Sequence, residues 1–344
     1  MASKKRIEWI DVVKGIGILL VVIGHAPRDI MRSQYNSIDV LYQFIYTFHM
    51  GIFFAISGYL YSSRKFEVKK AIKRLIIPWI IYSLCIYILF YVANHIGPIS
   101  SILSNSEYSL ISIKDYIIDM LLIKNPYAFH MWFIYILFIV QMIEYILDKV
   151  LNKELRANNT ILVISIILYM FFYKYFLINI ITKYVFYFSL GRLIRLSNID
   201  ETRRESGLTF ILGIVVNLLS IYLIKRDCSD IMQSLIIFIR VFVGTSLIVV
   251  SIIQLAHKIA NIKIFQYLGR NSYNIYILHQ PFFCAFLGTI MLKMIPFNYF
   301  NFLFVMLVCG ITGIVAPLII TRFIHLIKAD NLFERLFNIK YIER

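Results

Sequence analysis

The chain has 344 residues, of which 60% are hydrophobic and 16% aromatic, well above the roughly 45–50% apolar content of a soluble globular chain. The excess falls in blocks of about twenty residues, the length an α-helix needs to cross a bilayer, which excludes a soluble fold. Lys and Arg total 35 against 19 Asp and Glu, a net charge of +16; because these charges sit between apolar blocks, they read as topology signals and exclude nucleic acid as the partner they serve.

Met1 to Arg6 is basic, but the apolar run that follows is long and lacks a small-residue cleavage site, so the first helix reads as a retained signal anchor. The apolar blocks predict ten spans, near 8–27, 41–62, 74–96, 130–150, 160–177, 179–196, 207–225, 231–257, 272–293 and 298–326. The fifth and sixth are separated only near Ile178 and Asn179 and also read as one broken hairpin. Between the third and fourth lies a long polar segment, 97–129. Its stretch from Ile113 to Lys124, with Asp115 and Asp119 set in an apolar pattern, reads as a short amphipathic helix on the outer surface or as plain loop. Residues 1–344 form a single all-α, polytopic transmembrane domain. Cys85, Cys228, Cys284 and Cys309 are far apart, with no metal or disulfide spacing.

Orientation follows from charge. With both termini cytoplasmic, 25 of the 35 basic residues fall on the cytoplasmic side: Lys4, Lys5 and Arg6, the run from Arg64 to Arg74, Lys153, Arg192, Arg203, Arg204, Arg270 and Arg344 among them. Nine, including Arg28, Lys183 and Lys225, fall outside, and only Arg240 lies well inside a span. That bias fits an even number of spans.

Ionisable residues within spans are costly and mark candidate function. The first helix carries Asp11, Lys14 and His25. Lys14 and His25 are eleven residues apart, so they fall within about 20° of one face and about 16 Å apart along the axis. Asp11 is one turn below Lys14, close enough to pair with it. The plainer reading is interfacial snorkelling for Asp11 and Lys14 and a wet loop edge for His25. The second helix holds His49, then Ser57-Gly58-Tyr59 deeper in; the fourth opens with His130-Met131-Trp132 at the outer interface, where Trp anchors as a belt residue; the ninth holds His279-Gln280-Pro281. Arg240 has Asp227 and Asp230 above it on the chain and no evident partner. Membrane histidines with few carboxylates fit a general base near a hydroxyl better than a proton relay. No nucleotide loop, metal-ligand pair or serine nucleophile elbow is present.

These segments resemble the acyltransferase 3 family of bacterial membrane O-acyltransferases, and within it the fucose 4-O-acetylase-like branch. The resemblance runs from Ile10-Asp11-Val12-Val13-Lys14-Gly15 to Gly24-His25, a basic residue, ten spacers and a histidine, with Lys14 where many members have Arg. It continues through Phe48-His49-Met50, Ser57-Gly58-Tyr59, Lys73-Arg74 to Pro78-Trp79, His130-Met131-Trp132-Phe133, and Gly269-Arg270-Asn271-Ser272-Tyr273 to His279-Gln280-Pro281. It implies a stand-alone ten-helix core in the bacterial cytoplasmic membrane. That core would move an acetyl group from cytoplasmic acetyl-CoA to a hydroxyl of a cell-envelope polysaccharide or lipid-linked sugar, with no permanently bound cofactor and no metal. In that scheme His25, with Lys14 and Asp11, is catalytic; Lys70, Lys73, Arg74, Arg270 and Ser57 hold the acyl-CoA; and His49, His130, Trp132 and His279 line the acceptor passage. For the basic loop the plainer alternative is topology alone, and for the whole chain it is a transporter or binding subunit that keeps the fold without the chemistry.

Overall fold

Ten apolar blocks must each satisfy their backbone internally, and in hydrocarbon only helices can do so. The computed structural model describes residues 7–342 except 105–107, 126, 152–153, 173, 198–205 and 227–228. The basic residues Lys4, Lys5, Arg6, Lys153, Arg203, Arg204 and Arg344, with Asp227 and Cys228, lie outside the described residues. The helices are α1 (Glu8–His25), α2 (Asp29–Gln34), α3 (Asn36–Leu60), α4 (Val68–Ala93), α5 (Gly97–Leu103), α6 (Ile113–Leu121), α7 (Phe129–Leu151) and α8 (Leu155–Phe172). There follow α9 (Phe176–Leu196), α10 (Gly207–Ile224), α11 (Asp230–Lys258), α12 (Lys263–Arg270), α13 (Ser272–Leu278), α14 (Phe282–Met294), α15 (Tyr299–Leu326) and α16 (Asp330–Phe337). No strand occurs among the described residues.

Eight of these are long and apolar enough to cross a membrane, and α13 with α14, bent by 59° at their junction, makes a ninth. The tenth expected span is α1, whose Glu8, Asp11 and Lys14 place three charges in eighteen residues. It is nonetheless sheathed by protein, packing on α3, α11 and α12. The chain is thus an all-α multi-pass membrane protein, and the expected spans coincide with helices to within a few residues. The fifth and sixth are separate helices, α8 and α9, packed along one another, but the break falls earlier than expected: α8 ends at Phe172, α9 begins at Phe176, and Ile178 and Asn179 lie inside α9.

Two close crossings set the frame, and both depend on glycine. A Cβ on Gly58 of α3 would overlap the Phe188 carbonyl of α9, and one on Gly191 of α9 would overlap the Ala55 carbonyl of α3. Gly15 of α1 and Gly269 of α12 meet the backbones of Phe265 and Asp11 in the same reciprocal way. With no hydrophobic drive between helices in lipid, such small-residue contacts let backbones approach and pack. Gly191→Leu should therefore part α3 from α9, at more than the ~1–3 kcal/mol of ordinary over-packing. The check is thermal aggregation of the detergent-purified variant, with Gly207→Leu, where nothing lies near the added Cβ, as the neutral control.

Backbone irregularities sit where polar groups cluster. A π-turn at Ile72–Ile76 carries Lys73 and Arg74 just before Pro78, and a second, Ile239–Gly244, carries Arg240. Such bulges re-aim side chains within a helix. The segment 108–129 does more than rest on the surface. Helix α6 forms where expected, but Tyr116 is fully buried, donates to the Ser83 carbonyl at 2.6 Å and packs with Tyr87 and Tyr127 over one end of the bundle.

Candidate functional site

At the end of the bundle where α1 begins, the loop after α3, the start of α4 and the C-terminal α16 enclose a basic cleft. One cavity of about 540 Å³ is lined by Ser57, Tyr61, Lys65, Lys70, Arg74 and Tyr273. A second, of about 650 Å³, shares Lys70, Arg74 and Asn338 with it and adds Lys73, Arg335 and Lys340. Six cations therefore face two carboxylates, Glu67 and Glu334, which pair with Lys70 at 2.5 Å and Lys340 at 2.6 Å. Such an excess suits a polyanion. Ser57, Lys70, Lys73 and Arg74 thus line adjoining parts of one cleft. Arg335 and Lys340 join them because α16 packs on α4, and the tail bonds back to α13 through Asn274 Nδ2 and the Lys340 carbonyl, 2.7 Å. Their only trace in sequence is a basic C-terminus.

The remaining acyl-CoA candidate, Arg270, does not line these cavities. Its Nε lies 3.6 Å from the buried Asp11 carboxylate, and it donates to Gln266 at 3.1 Å. Asp11 and Arg270 thereby tie α1 to α12 where Gly269 lets the two backbones touch. Lys14 is half-buried one turn further along α1.

Deeper in, the four expected histidines meet. The His25 and His279 ring centres are 5.2 Å apart, and those of His279 and His130 are 5.4 Å apart. His25 Nδ1 lies 3.0 Å from the Tyr46 hydroxyl, and the Tyr46 ring is 4.7 Å from His49. The break between α13 and α14 puts His279 at the bend, where it is fully buried. His130 and Trp132, expected at the outer interface, are packed against other parts of the protein. His130 is buried, with the Tyr276 hydroxyl donating to its carbonyl, and Trp132 packs on Tyr184 at 5.1 Å. Residues of the preceding segment lie beside them: Trp132 shares a small cavity with Met120, Ile123 and Asn125, and His130 shares another with Tyr108 and Tyr127.

Backbone carbonyls set the tautomers. His279 Nδ1–H donates to the Tyr276 oxygen at 2.7 Å, and His49 Nδ1–H donates to that of Ile45 at 2.8 Å. His130 Nε2–H donates to the Ile277 oxygen at 3.3 Å. Each ring keeps one lone pair, and that of His279, on Nε2, is buried with no hydrogen-bond partner among the described residues. A cavity of about 120 Å³ lined by His25, Arg28, Tyr127, His130 and Gln280 opens this cluster toward the end of the bundle opposite the basic cleft. Phe53, Phe133 and Tyr276, with ring centres 5.9 and 5.4 Å apart in succession, stand between the two.

Tyr46 is a partner that sequence patterns do not single out; its only signal is a position one turn before His49. A second unsignalled feature is a charge network near the cleft. Arg192 of α9, counted by sequence among the basic-side charges, is completely buried. It pairs with Glu144 and, at 2.8 Å, with Asp148, while Ser189 donates to Glu144 at 2.6 Å. Arg195 bonds the terminal carbonyls of α3 at Tyr59 (3.2 Å) and Tyr61, fixing the wall of the cleft. The trace of this network is an acidic pair, Glu144 and Asp148, spaced four apart inside a span. Among the described residues no group of His, Cys, Asp and Glu could hold a metal ion.

A polyanion cleft and a histidine cluster thus occupy opposite ends of one helical bundle, joined by α1 and α3. Neither the curated proteins nor the solved structures contain a match to this chain. The family profile described as an acyltransferase domain does match, over residues 7–322. That span includes α1 with His25, the basic loop, the His130 segment and the bend at His279, and the chain therefore belongs to the acyltransferase 3 family, as a membrane acyltransferase.

Proposed function

We propose that this protein transfers an acetyl group from acetyl-CoA, held in the basic cleft, to a hydroxyl of a cell-envelope glycan reaching the histidines from the opposite end. The observation that carries this reading is the separation of a six-cation cleft from a histidine cluster that has its own opening. Excess Lys and Arg at the cleft end favours the cytoplasmic face of a bacterial membrane, where acyl-CoA is available.

The cations, with Ser57 at the cleft wall, would hold the CoA phosphates, and the pantetheine arm would run past Phe53, Phe133 and Tyr276 toward His25. His25 Nε2 takes the proton of the acceptor hydroxyl as its oxygen attacks the thioester carbonyl. The C–S bond then breaks, the CoA thiolate leaves, and the imidazolium returns its proton to sulfur. For this, His25 Nδ1–H must donate to the Tyr46 oxygen, while the Tyr46 O–H in turn donates to the neighbouring Tyr42 oxygen. The unpartnered Nε2 of His279 lies beside the same space and would steer the acceptor hydroxyl. Asp11 and Lys14 act from below: Asp11 anchors α1 to Arg270, and Lys14 presents a cation toward the arm.

Purified protein should bind acetyl-CoA and release CoA when a glycan acceptor is supplied. Lys70→Gln with Arg74→Gln should raise the KM for acetyl-CoA roughly tenfold or more, an effect that shrinks with added salt, while kcat holds. A binding subunit without chemistry would take up acetyl-CoA and release none, and that outcome would sink the transferase reading. Loss of envelope O-acetyl groups in a deletion strain tests the acceptor class.

A further inference from the structure

The basic cleft has two lobes, and different parts of the chain line them. The first, of about 540 Å³, reaches Ser57 of α3, Gln141 of α7 and Tyr273 of α13. Gln141 lies about 15 Å along the axis from Leu151, where α7 ends, on the way to Phe133. This lobe therefore leads into the bundle toward the histidines. The second, of about 650 Å³, is lined by α4 and the C-terminal segment alone. Beyond the shared Lys70, Arg74 and Asn338, its charged side chains are those of Lys73, Glu334, Arg335 and Lys340.

The C-terminal wall of this second lobe is anchored. Asn338 ends α16 in the left-handed region, at φ 55°, and the chain turns back onto α13. There the Tyr273 hydroxyl donates to the Phe337 carbonyl at 3.2 Å, Asn274 Nδ2 donates to the Lys340 carbonyl at 2.7 Å, and Ile339 is buried. Among the lining residues five cations surround one carboxylate, Glu334, which pairs with Lys340 at 2.6 Å. Lys70 is engaged with Glu67 at 2.5 Å. Lys73, Arg74 and Arg335 are exposed, line the cleft, and make no ion pair or hydrogen bond among the described residues. Arg335 and Lys340 stand beyond residues 7–322, so membership of the family assigns them no role.

The donor of the transferase reading has a fixed order of parts: acyl-pantetheine, pyrophosphate, then adenosine with a phosphate on the 3′ oxygen of its ribose. With the arm directed inward through the first lobe, the pyrophosphate falls at Lys70 and Arg74, which both lobes share. The adenosine end then falls in the second lobe. A terminal phosphate carries about two negative charges near neutral pH and matches the fork of a guanidinium. We propose that Arg335, with Lys73 and Lys340, binds the 3′-phosphate of the donor, so that α16 selects 3′-phosphorylated over dephosphorylated CoA. The identity of the donor rests on the transferase reading; the selection by the C-terminal segment goes beyond it.

Titration of the detergent-purified full chain with acetyl-CoA and with acetyl-3′-dephospho-CoA, at low ionic strength, tests it. The wild-type chain should bind acetyl-CoA about tenfold tighter or more. Arg335→Gln should erase most of that preference, weakening acetyl-CoA about tenfold and leaving the dephospho donor within about twofold. Arg335→Lys should keep part of the preference, and Lys70→Gln with Arg74→Gln should weaken both donors alike. Equal wild-type affinities, or an Arg335→Gln loss that is the same for both donors, would overturn the subsite. A wild-type chain that binds neither donor would overturn the subsite together with the transferase reading. If the preference is present but a deletion strain keeps its envelope O-acetyl groups, the subsite stands and the transferase reading alone is lost.

Discussion

His25→Ala will lower acyl transfer by about 10²–10⁴-fold, the contribution of a positioned general base, and will leave acetyl-CoA binding in place. The side chain ends α1 in a half-exposed position against Tyr46 and His279 and lines a cavity, so removing it enlarges a space already present. CoA release by purified protein, measured beside acetyl-CoA binding, separates a lost catalyst from a lost fold. Tyr46→Phe removes only the group that orients His25; a smaller fall in kcat, with KM unchanged, is expected. Transfer by His25→Ala within tenfold of wild type would move the base elsewhere, and His279, with its unpartnered Nε2, would be next to test.

Arg192→Met will cost about 3–5 kcal/mol, the effect of stranding buried charges by removing one partner. Here two carboxylates are stranded at once: Glu144 and Asp148 stand one turn apart on α7, both facing the guanidinium, and the Arg192 and Glu144 side chains are completely buried. The expected readout is a lower unfolding temperature and a smaller monodisperse fraction in detergent. The triple variant Arg192→Met, Glu144→Gln, Asp148→Asn should recover most of the loss, because no net charge then stays buried. If the single variant were as stable as wild type, the network would not be what ties α7 to α9. Since Arg195, one turn from Arg192, fixes the end of α3 at the cleft, the single variant should also weaken acetyl-CoA binding.

Much of this was legible in the chain. Apolar length alone specifies each span, because every residue in hydrocarbon must bond its backbone within its own helix; that local rule is why the spans, even the charged α1, match the helices so closely. The amphipathic stretch at Ile113 was readable for the same reason. Neighbours across segments were less so: composition cannot show that Tyr108 and Tyr127 come to lie beside His130, or Met120 and Asn125 beside Trp132.

The sequence by itself determined the all-α multi-pass class, the family and the identity of the histidines and of the basic loop, all properties of local composition or of ordered motifs. Only the tertiary structure decided that His25, His130 and His279, drawn from α1, from the start of α7 and from the bend after α13, meet in one cluster. It also decided that α16 completes the basic cleft and that Asp11 meets Arg270. These are contacts between distant segments, created where glycines let helices close up and where broken helices turn side chains inward, and no periodicity along the chain encodes them.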